Sequence, residues 1–265
     1  MRLSSESSAI SPNTGRCGDA GVGSAPTFTA LRPSRVHGFS FTACAIAAVT
    51  LLVGCNPRVQ GNGVYLEEPR ERGPFVGIHV QDGVSAIVTS GEPQTLRVIG
   101  DSNIVPHIDT SVVAEPLGLT TIQVLRVSVT EDYVPTIPPS VVVSVPSFVF
   151  VRAVGEADGD RIVTVDVKKA AAALFTAEAS GSARVAISGA GGDVIDATLG
   201  GDALLDATGY VTSAAVVALS GRATAKLRSN GPVTGTAVDD SRVDNLLGTG
   251  PCFVTTSGTA QAICQ

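Results

Sequence analysis

The side chains best suited to acid–base chemistry are few and widely separated. Asp206, Lys226 and Asp244 lie 20 and 18 residues apart, so that adjacent layers of a layered fold would align them, as polysaccharide cleavage requires. His79 and His107 both lie in alternating patterns, and parity predicts that His79 faces solvent. No Gly-x-Ser-x-Gly, His-Glu-x-x-His or phosphate loop occurs. We therefore expect no catalytic residues, with a degenerate carbohydrate-active β-helix enzyme as the alternative.

Two Gly-Gly-Asp triplets are the nearest approach to a metal-binding motif. They begin at Gly191 and Gly200, nine residues apart, which is the period of calcium-binding nonapeptide repeats. There are only two copies, and one of the six positions that follow them fits that repeat. The pattern favours solvated turns, and we expect neither a metal nor a cofactor.

Cys55 is the residue with the most specific chemical context. An uncharged segment, 39–54, precedes it and follows Arg32 and Arg35, as in a secretory signal. Its end, Leu52-Val53-Gly54-Cys55, is similar to the bacterial lipobox, in which the Cys thiol accepts a diacylglyceryl group. At 16 residues the segment is short for a membrane span, which needs about 20. The alternatives are a buried helix that ends in Cys and a signal peptide cleaved elsewhere.

We therefore predict a signal peptide with a lipobox at residues 1–54 and a lipid-anchored protein in the bacterial cell envelope. Palmitate-type acyl chains on Cys55 would hold the protein on the membrane without a transmembrane helix. Asn56 after the cysteine favours the outer membrane over the inner one. Residues 55–74 are polar, with Gly and Pro, and predict a flexible tether to a single folded head at 75–265.

Charge and cysteine content narrow the partners. The chain carries 18 basic and 24 acidic residues, and four Arg and two acidic residues lie within 1–54, so the remainder has a net charge of −8. An acidic surface without basic clusters excludes nucleic acid as a partner. Cys252 and Cys264 predict a disulfide, as expected in an exported protein, and two free thiols are the alternative.

The folded part has the pattern of an all-β protein. Short β-branched runs separated by Gly, Pro and Asp fill residues 75–154, and the helix-prone segment 168–175 spans barely two turns. A 20-residue repeat is clearest over 160–247. Its fourth, sixth and eighth columns are apolar at fourteen of fifteen positions: Val163, Ala183, Ala203, Ala223, Val243; Val165, Val185, Leu205, Ala225, Asn245; Val167, Ile187, Ala207, Leu227, Leu247. Stacked copies would bury these columns, which predicts a β-solenoid with Gly at its corners and no room for rings inside.

Three segments carry a resemblance to a known family: Phe75–Val113, Pro139–Pro146 and the Ser-Gly repeats that begin at Ser180. They resemble the putative auto-transporter adhesin head domain, or head GIN domain, of bacterial exported proteins. The resemblance implies a right-handed β-helix-like fold, a cell-envelope location and no established chemistry. We expect a non-catalytic domain that presents a surface for adhesion or a structural role, with an unidentified protein or glycan partner.

Overall fold

The computed structural model describes residues 58–156 and 161–264, and this part of the chain is all-β. The one helical element is a 3₁₀ turn, Val105–His107, and no helix in these residues is long and apolar enough to cross a bilayer. The strands are β1 (Val59–Gln60), β2 (Tyr65–Pro69), β3 (Gly77–Val80), β4 (Ser85–Ser90), β5 (Thr95–Asp101), β6 (Ile108–Leu117), β7 (Thr120–Val129), β8 (Tyr133–Val134), β9 (Ser140–Val145), β10 (Phe150–Val154), β11 (Thr164–Ala170), β12 (Leu174–Ser180), β13 (Arg184–Gly189), β14 (Gly192–Leu199), β15 (Leu204–Leu219), β16 (Thr224–Ser229), β17 (Val233–Ala237), β18 (Arg242–Asn245), β19 (Cys252–Thr256) and β20 (Gln261–Cys264).

The strands pair in two long parallel ladders. Ladder one runs β7–β3–β10–β12–β14–β15–β17–β19, and antiparallel β6 pairs with β7 at its first end. Ladder two runs β9–β4–β11–β13–β15–β16–β18–β20, and β5 and then β2 add antiparallel strands at its first end. The 16-residue strand β15 bends through a register shift and belongs to both ladders. Successive strands of the chain therefore alternate between the ladders.

Each ladder buries a row of small aliphatic side chains that are paired by register. In ladder two the register joins Thr164 to Arg184 to Leu204 to Thr224, in steps of 20 residues. The residues that follow them point inward and are at most 2% exposed: Ala86, Val165, Val185, Leu205, Ala225 and Val243. A matching row in ladder one contains Leu125, Ile78, Val151, Ala177, Ala197 and Val217. The alternation of the sequence thus becomes an inside and an outside for every layer.

The stack turns one corner at residues with a left-handed backbone. Gly181, Gly201 and Gly221 have φ of +65°, +67° and +71°, and a Cβ at Gly201 would lie 3.1 Å from the backbone nitrogen of Gly181. Asp239, with φ of +63°, continues this column, and Gly258 follows it at +72°. Glycine adopts this conformation without strain, and Asp is among the residues that tolerate it.

The repeat continues beyond Leu227 with a shorter step. Val243 pairs with Ala225, which is 18 residues earlier, and Ala262 then pairs with Val243 after 19. The prediction that Leu247 lies inside is therefore wrong, because the shift leaves its side chain 60% exposed. Asn245 is buried in its place, where its amide accepts from Ser229 N at 2.8 Å and donates to Ser229 O at 3.1 Å.

The interior also holds aromatic rings, contrary to the expectation that it has no room for them. Phe148, Phe175 and Tyr210 are at most 1% exposed, and their ring centroids are 5.9 and 5.8 Å apart in sequence order. The Tyr210 hydroxyl donates to Ala172 O at 2.7 Å, which satisfies its polar end inside the core. The rings fit because they stack on one another where Ala dominates the neighbouring positions.

Residues 58–74 do not form the predicted tether, because they are bonded to the head. β1 pairs with β8, and β2 pairs with β5 over Tyr65–Pro69. Arg70 donates to Val105 O at 3.0 Å and to Ile108 O at 2.5 Å. The flanking Gly and Pro suggested flexibility, but this segment supplies the strand that covers the edge of β5.

Candidate functional site

Cys55, the predicted lipid attachment site, and the predicted signal peptide lie outside the described residues. The predicted disulfide partners lie in the last layer, Cys252 in β19 and Cys264 in β20. Their Cα atoms are 5.9 Å apart and their sulfur atoms are in contact, a separation that a disulfide spans. The pair would link the final strands of the two ladders.

Asp206, Lys226 and Asp244 are brought together on the outward face of ladder two, as their spacing predicts. Asp206 pairs with Lys226, and Lys226 pairs with Asp244, on adjacent strands. Asp206 accepts from Thr208 Oγ1 at 2.7 Å, and Asp244, which is 8% exposed, accepts from Arg242 Nε at 2.8 Å. Both carboxylates are thus bound by neighbours from their own strand.

The Gly-Gly-Asp triplets lie apart from one another in the fold. Asp193 is exposed on β14, and Asp202 lies in a turn, where Arg222 Nε donates to it at 2.7 Å. No group of three His, Cys, Asp or Glu side chains arranged to hold a metal occurs within the described ranges.

An ionic cluster joins ladder one to the β6–β7 hairpin. Glu115 of β6 accepts from Arg152 at 2.6 Å and lies 3.0 Å from His79 Nδ1. Arg152 also donates to Glu178 at 2.6 Å. Burial disfavours the charge on Arg152, but the carboxylates of Glu178 and Glu115 hold its pKa above the ordinary value. Burial, and then the charge of Glu178, raise the pKa of Asp196 nearby.

The environment of His79 corrects the parity argument. Its side chain does point outward from β3, but the hairpin covers it, and it is only 13% exposed. Its Nε2 is buried and has no hydrogen-bond partner among the described residues. His107 lies at the end of the 3₁₀ turn, 3.5 Å from Glu131. The sequence signal for the hairpin, two long β-branched runs around Gly118, did not reveal that it folds over β3.

A buried carboxylate near the start of the described chain is a second feature that sequence patterns missed. Asp101 ends β5 and is 0% exposed. It accepts from the backbone N–H of Gly63 at 2.7 Å, of Thr136 at 2.8 Å and of Ile137 at 2.9 Å. Burial alone would raise the pKa of Asp101, but these three donors bring it below the ordinary value. One side chain therefore holds three segments together.

The outward face of ladder one over β14–β19 differs from the ionic cluster because it is largely uncharged. Register aligns Thr198, Ala218, Thr236 and Thr255 on successive strands, and all four are exposed. A parallel row leads from Val216 through Thr234 to Phe253, which is 65% exposed. We call these seven positions the uncharged face.

A family model describes most of this all-β head. The model of the putative auto-transporter adhesin, head GIN domain, matches residues 74–246. The chain belongs to this family. Its members are described as adhesins rather than enzymes, and the family is associated with the cell surface or envelope. The resemblance drawn from Phe75–Val113 and the later repeats is confirmed.

Solved structures of similar proteins have low sequence identity to this member of the head GIN family. A putative adhesin from Bacteroides fragilis is 11% identical with a TM-score of 0.47, over 77% of this chain and 100% of that one. A putative lipid binding protein from Parabacteroides distasonis is 12% identical with a TM-score of 0.45, over 78% and 98%. A putative adhesin from Parabacteroides merdae is 14% identical with a TM-score of 0.40, over 77% and 98%. No curated protein matches the sequence significantly.

Proposed function

We propose that the protein is a lipid-anchored adhesin of the bacterial cell envelope, with the outer membrane as its location. Its head binds a protein or glycan partner rather than catalysing a reaction. The observation that carries this proposal is the family match over residues 74–246. The lipobox-like Leu52–Cys55 segment supports the anchor, and the acyl chains on Cys55 are its means of membrane attachment.

We further propose that the layers form a β-solenoid with a right-handed, β-helix-like coil. The 20-residue register of the parallel pairs and the left-handed corners at Gly181, Gly201 and Gly221 support it. Such a fold presents flat outer faces whose side chains repeat from layer to layer. The disulfide between Cys252 and Cys264 closes the last coil.

The uncharged face is the part of the head best suited to a partner. Its threonine hydroxyls donate and accept hydrogen bonds, while Val216 and Phe253 offer apolar area that binding would remove from water. The outward face of ladder two, by contrast, carries Asp206 and Lys226 on neighbouring strands. A face without fixed charges loses less on desolvation, which favours binding over repulsion.

The enzymatic alternative has weaker support. The Asp206, Lys226 and Asp244 row is assembled, but Asp244 is buried and engaged with Arg242. A glycosidase needs two accessible carboxyl groups on either side of the bond that it cleaves. This row is a flat ladder in which Lys226 separates the two carboxylates.

Attachment of cells to surfaces coated with proteins or polysaccharides tests the adhesin proposal. Cells producing the wild-type chain should attach to at least one coating, and Thr236→Asp on the uncharged face should reduce that attachment. Thr164→Asp, an exposed threonine of ladder two, is the matched control and should attach like wild type. Equal attachment by cells lacking the protein would contradict adhesion.

Fractionation of the same cells tests the anchor separately. The wild-type protein should be recovered with the outer membrane, and its intact mass should include acyl groups on Cys55. Cys55→Ser should release the head into the soluble fraction. Retention of the Cys55→Ser protein on membranes would refute lipidation as the means of attachment.

A further inference from the structure

The three segments that surround Asp101 form a surface without ionisable groups. They are residues 59–66, 102–106 and 133–140, and none contains Asp, Glu, Lys, Arg or His. The whole chain has 42 Asp, Glu, Lys and Arg residues in 265, which would place about three in a stretch of this size. We call these three segments the neutral corner.

Hydrogen bonds make the neutral corner one rigid unit. Asn62 N donates to Asn103 Oδ1 at 3.1 Å, and Asn103 Nδ2 donates to Gln60 O at 2.7 Å. Ser102 N donates to Val64 O at 2.8 Å. Gly61 N donates to Val134 O, also at 2.8 Å. Pairing of β1 with β8 adds to these contacts, so the start of the described chain cannot swing away from the head without breaking them.

The neutral corner exposes apolar side chains. Val64 is 56% exposed, Tyr65 is 58% exposed and Val134 is 40% exposed. Pro135 and Pro138 are exposed beside them. Asp101, which lies at the centre, is fully buried, and Asp132, next to β8, lies 3.2 Å from Arg161. The surface is thus apolar with a rim of amides and hydroxyls, the combination that suits the interface between headgroups and acyl chains.

The position of the predicted anchor supplies the occupant. Cys55 precedes Val59 by four residues, a separation that spans at most about 14 Å in the most extended chain. The acylated cysteine lies at the level of the lipid headgroups, so the first strand is confined to that distance from it. A 20-residue tether would have let the head turn any face toward the membrane, but β1 removes that freedom.

We propose that the neutral corner docks on the membrane surface, with Tyr65, Val64 and Val134 at the interface. This proposal rests on the lipid anchor at Cys55. The ladders then lead away from the bilayer, because the corner adjoins the first end of ladder two and β19 and β20 form the opposite end. The uncharged face is thereby presented to the outside.

Tryptophan fluorescence tests the docking, since the chain contains no Trp. The variants are Tyr65→Trp and Val134→Trp in the neutral corner and Phe253→Trp, equally exposed at the opposite end, as the matched control. Each is purified in its membrane-anchored form and placed in phosphatidylcholine–phosphatidylethanolamine vesicles, with and without brominated acyl chains. Tyr65→Trp and Val134→Trp should be quenched by the brominated lipid and shifted to shorter wavelength, while Phe253→Trp should be unaffected.

The outcomes separate this proposal from the anchor on which it rests. If the intact mass lacks acyl groups and the protein does not float with vesicles, the anchor is refuted and the docking with it. If the protein is acylated and floats, but both corner variants emit and resist quenching like Phe253→Trp, only the docking is overturned. Quenching of one corner variant is sufficient support, because the second guards against a local disturbance by the new ring.

Discussion

Replacing Asp101 by Asn should destabilise the head while preserving the shape of the side chain. The carboxylate accepts three backbone N–H bonds, two on Oδ2 from Thr136 and Ile137 and one on Oδ1 from Gly63. Asn has one oxygen, so in its better orientation the amide NH₂ faces Gly63 N–H and leaves that donor without a partner. An unsatisfied buried donor costs about 1–3 kcal/mol. The two remaining bonds lose their charge, at about 1 kcal/mol each.

Relief of the buried charge offsets part of this loss, so we expect Asp101→Asn to lower the free energy of unfolding by about 3 kcal/mol at pH 7. The pKa of Asp101 is depressed in the folded head, so its stabilisation is present above the unfolded-state pKa of about 3.9 and is lost as pH falls toward the folded value. The difference between wild type and variant should therefore shrink below about pH 4.

Urea unfolding followed by circular dichroism at several pH values measures this difference. Asp109→Asn is the matched control, because Asp109 is an exposed carboxylate on the neighbouring strand β6, and its unfolding should match wild type. A loss below about 0.5 kcal/mol at pH 7, or one that does not change between pH 7 and pH 3, would refute the role assigned to the three donors.

Other variants address the hairpin, the core and the last layer. Glu115→Gln removes the charge that holds Arg152 and should speed hydrogen exchange in the β6–β7 hairpin several-fold; unchanged exchange would contradict the clamp. Phe175→Ala should cost about 3–5 kcal/mol in urea unfolding, and a loss below about 1 kcal/mol would mean that the ring stack is not tightly packed. Cys252→Ser or a reductant should cost about 3 kcal/mol, because the link to Cys264 closes a 12-residue separation; equal stability of the reduced and untreated wild-type protein would contradict the disulfide.

Sequence patterns predicted the layers because their cause is local and repeated. Inward positions such as Val165, Val185 and Leu205 recur every 20 residues, and each meets its counterpart in the adjacent strand. The pattern failed where the spacing changed. The 18-residue step moved Leu247 outside and put Asn245 inside, and Asp239 took a left-handed corner that the repeat assigns to Gly.

The contacts around the candidate sites could not be predicted because they join residues far apart in the chain. Asp101 binds Gly63 and Thr136, which are 38 and 35 residues away, and neither pair has a spacing signature. The same holds for Glu115 and Arg152, which meet only because the hairpin folds over ladder one. Polar residues in the segment 58–74 indicated flexibility, since their strand partner β5 lies elsewhere in the sequence.

The equal step between Thr164, Arg184 and Leu204 gives the head an adjustable height. Deleting residues 184–203 would bring the Leu204 strand opposite the Thr164 strand with every inward and outward position preserved. Each such unit changes the stack by one strand spacing, about 4.8 Å, and leaves both ends of the head intact. Gain or loss of whole repeats in a gene would therefore tune how far the last layer stands from the first, in steps of one strand, without redesigning either end.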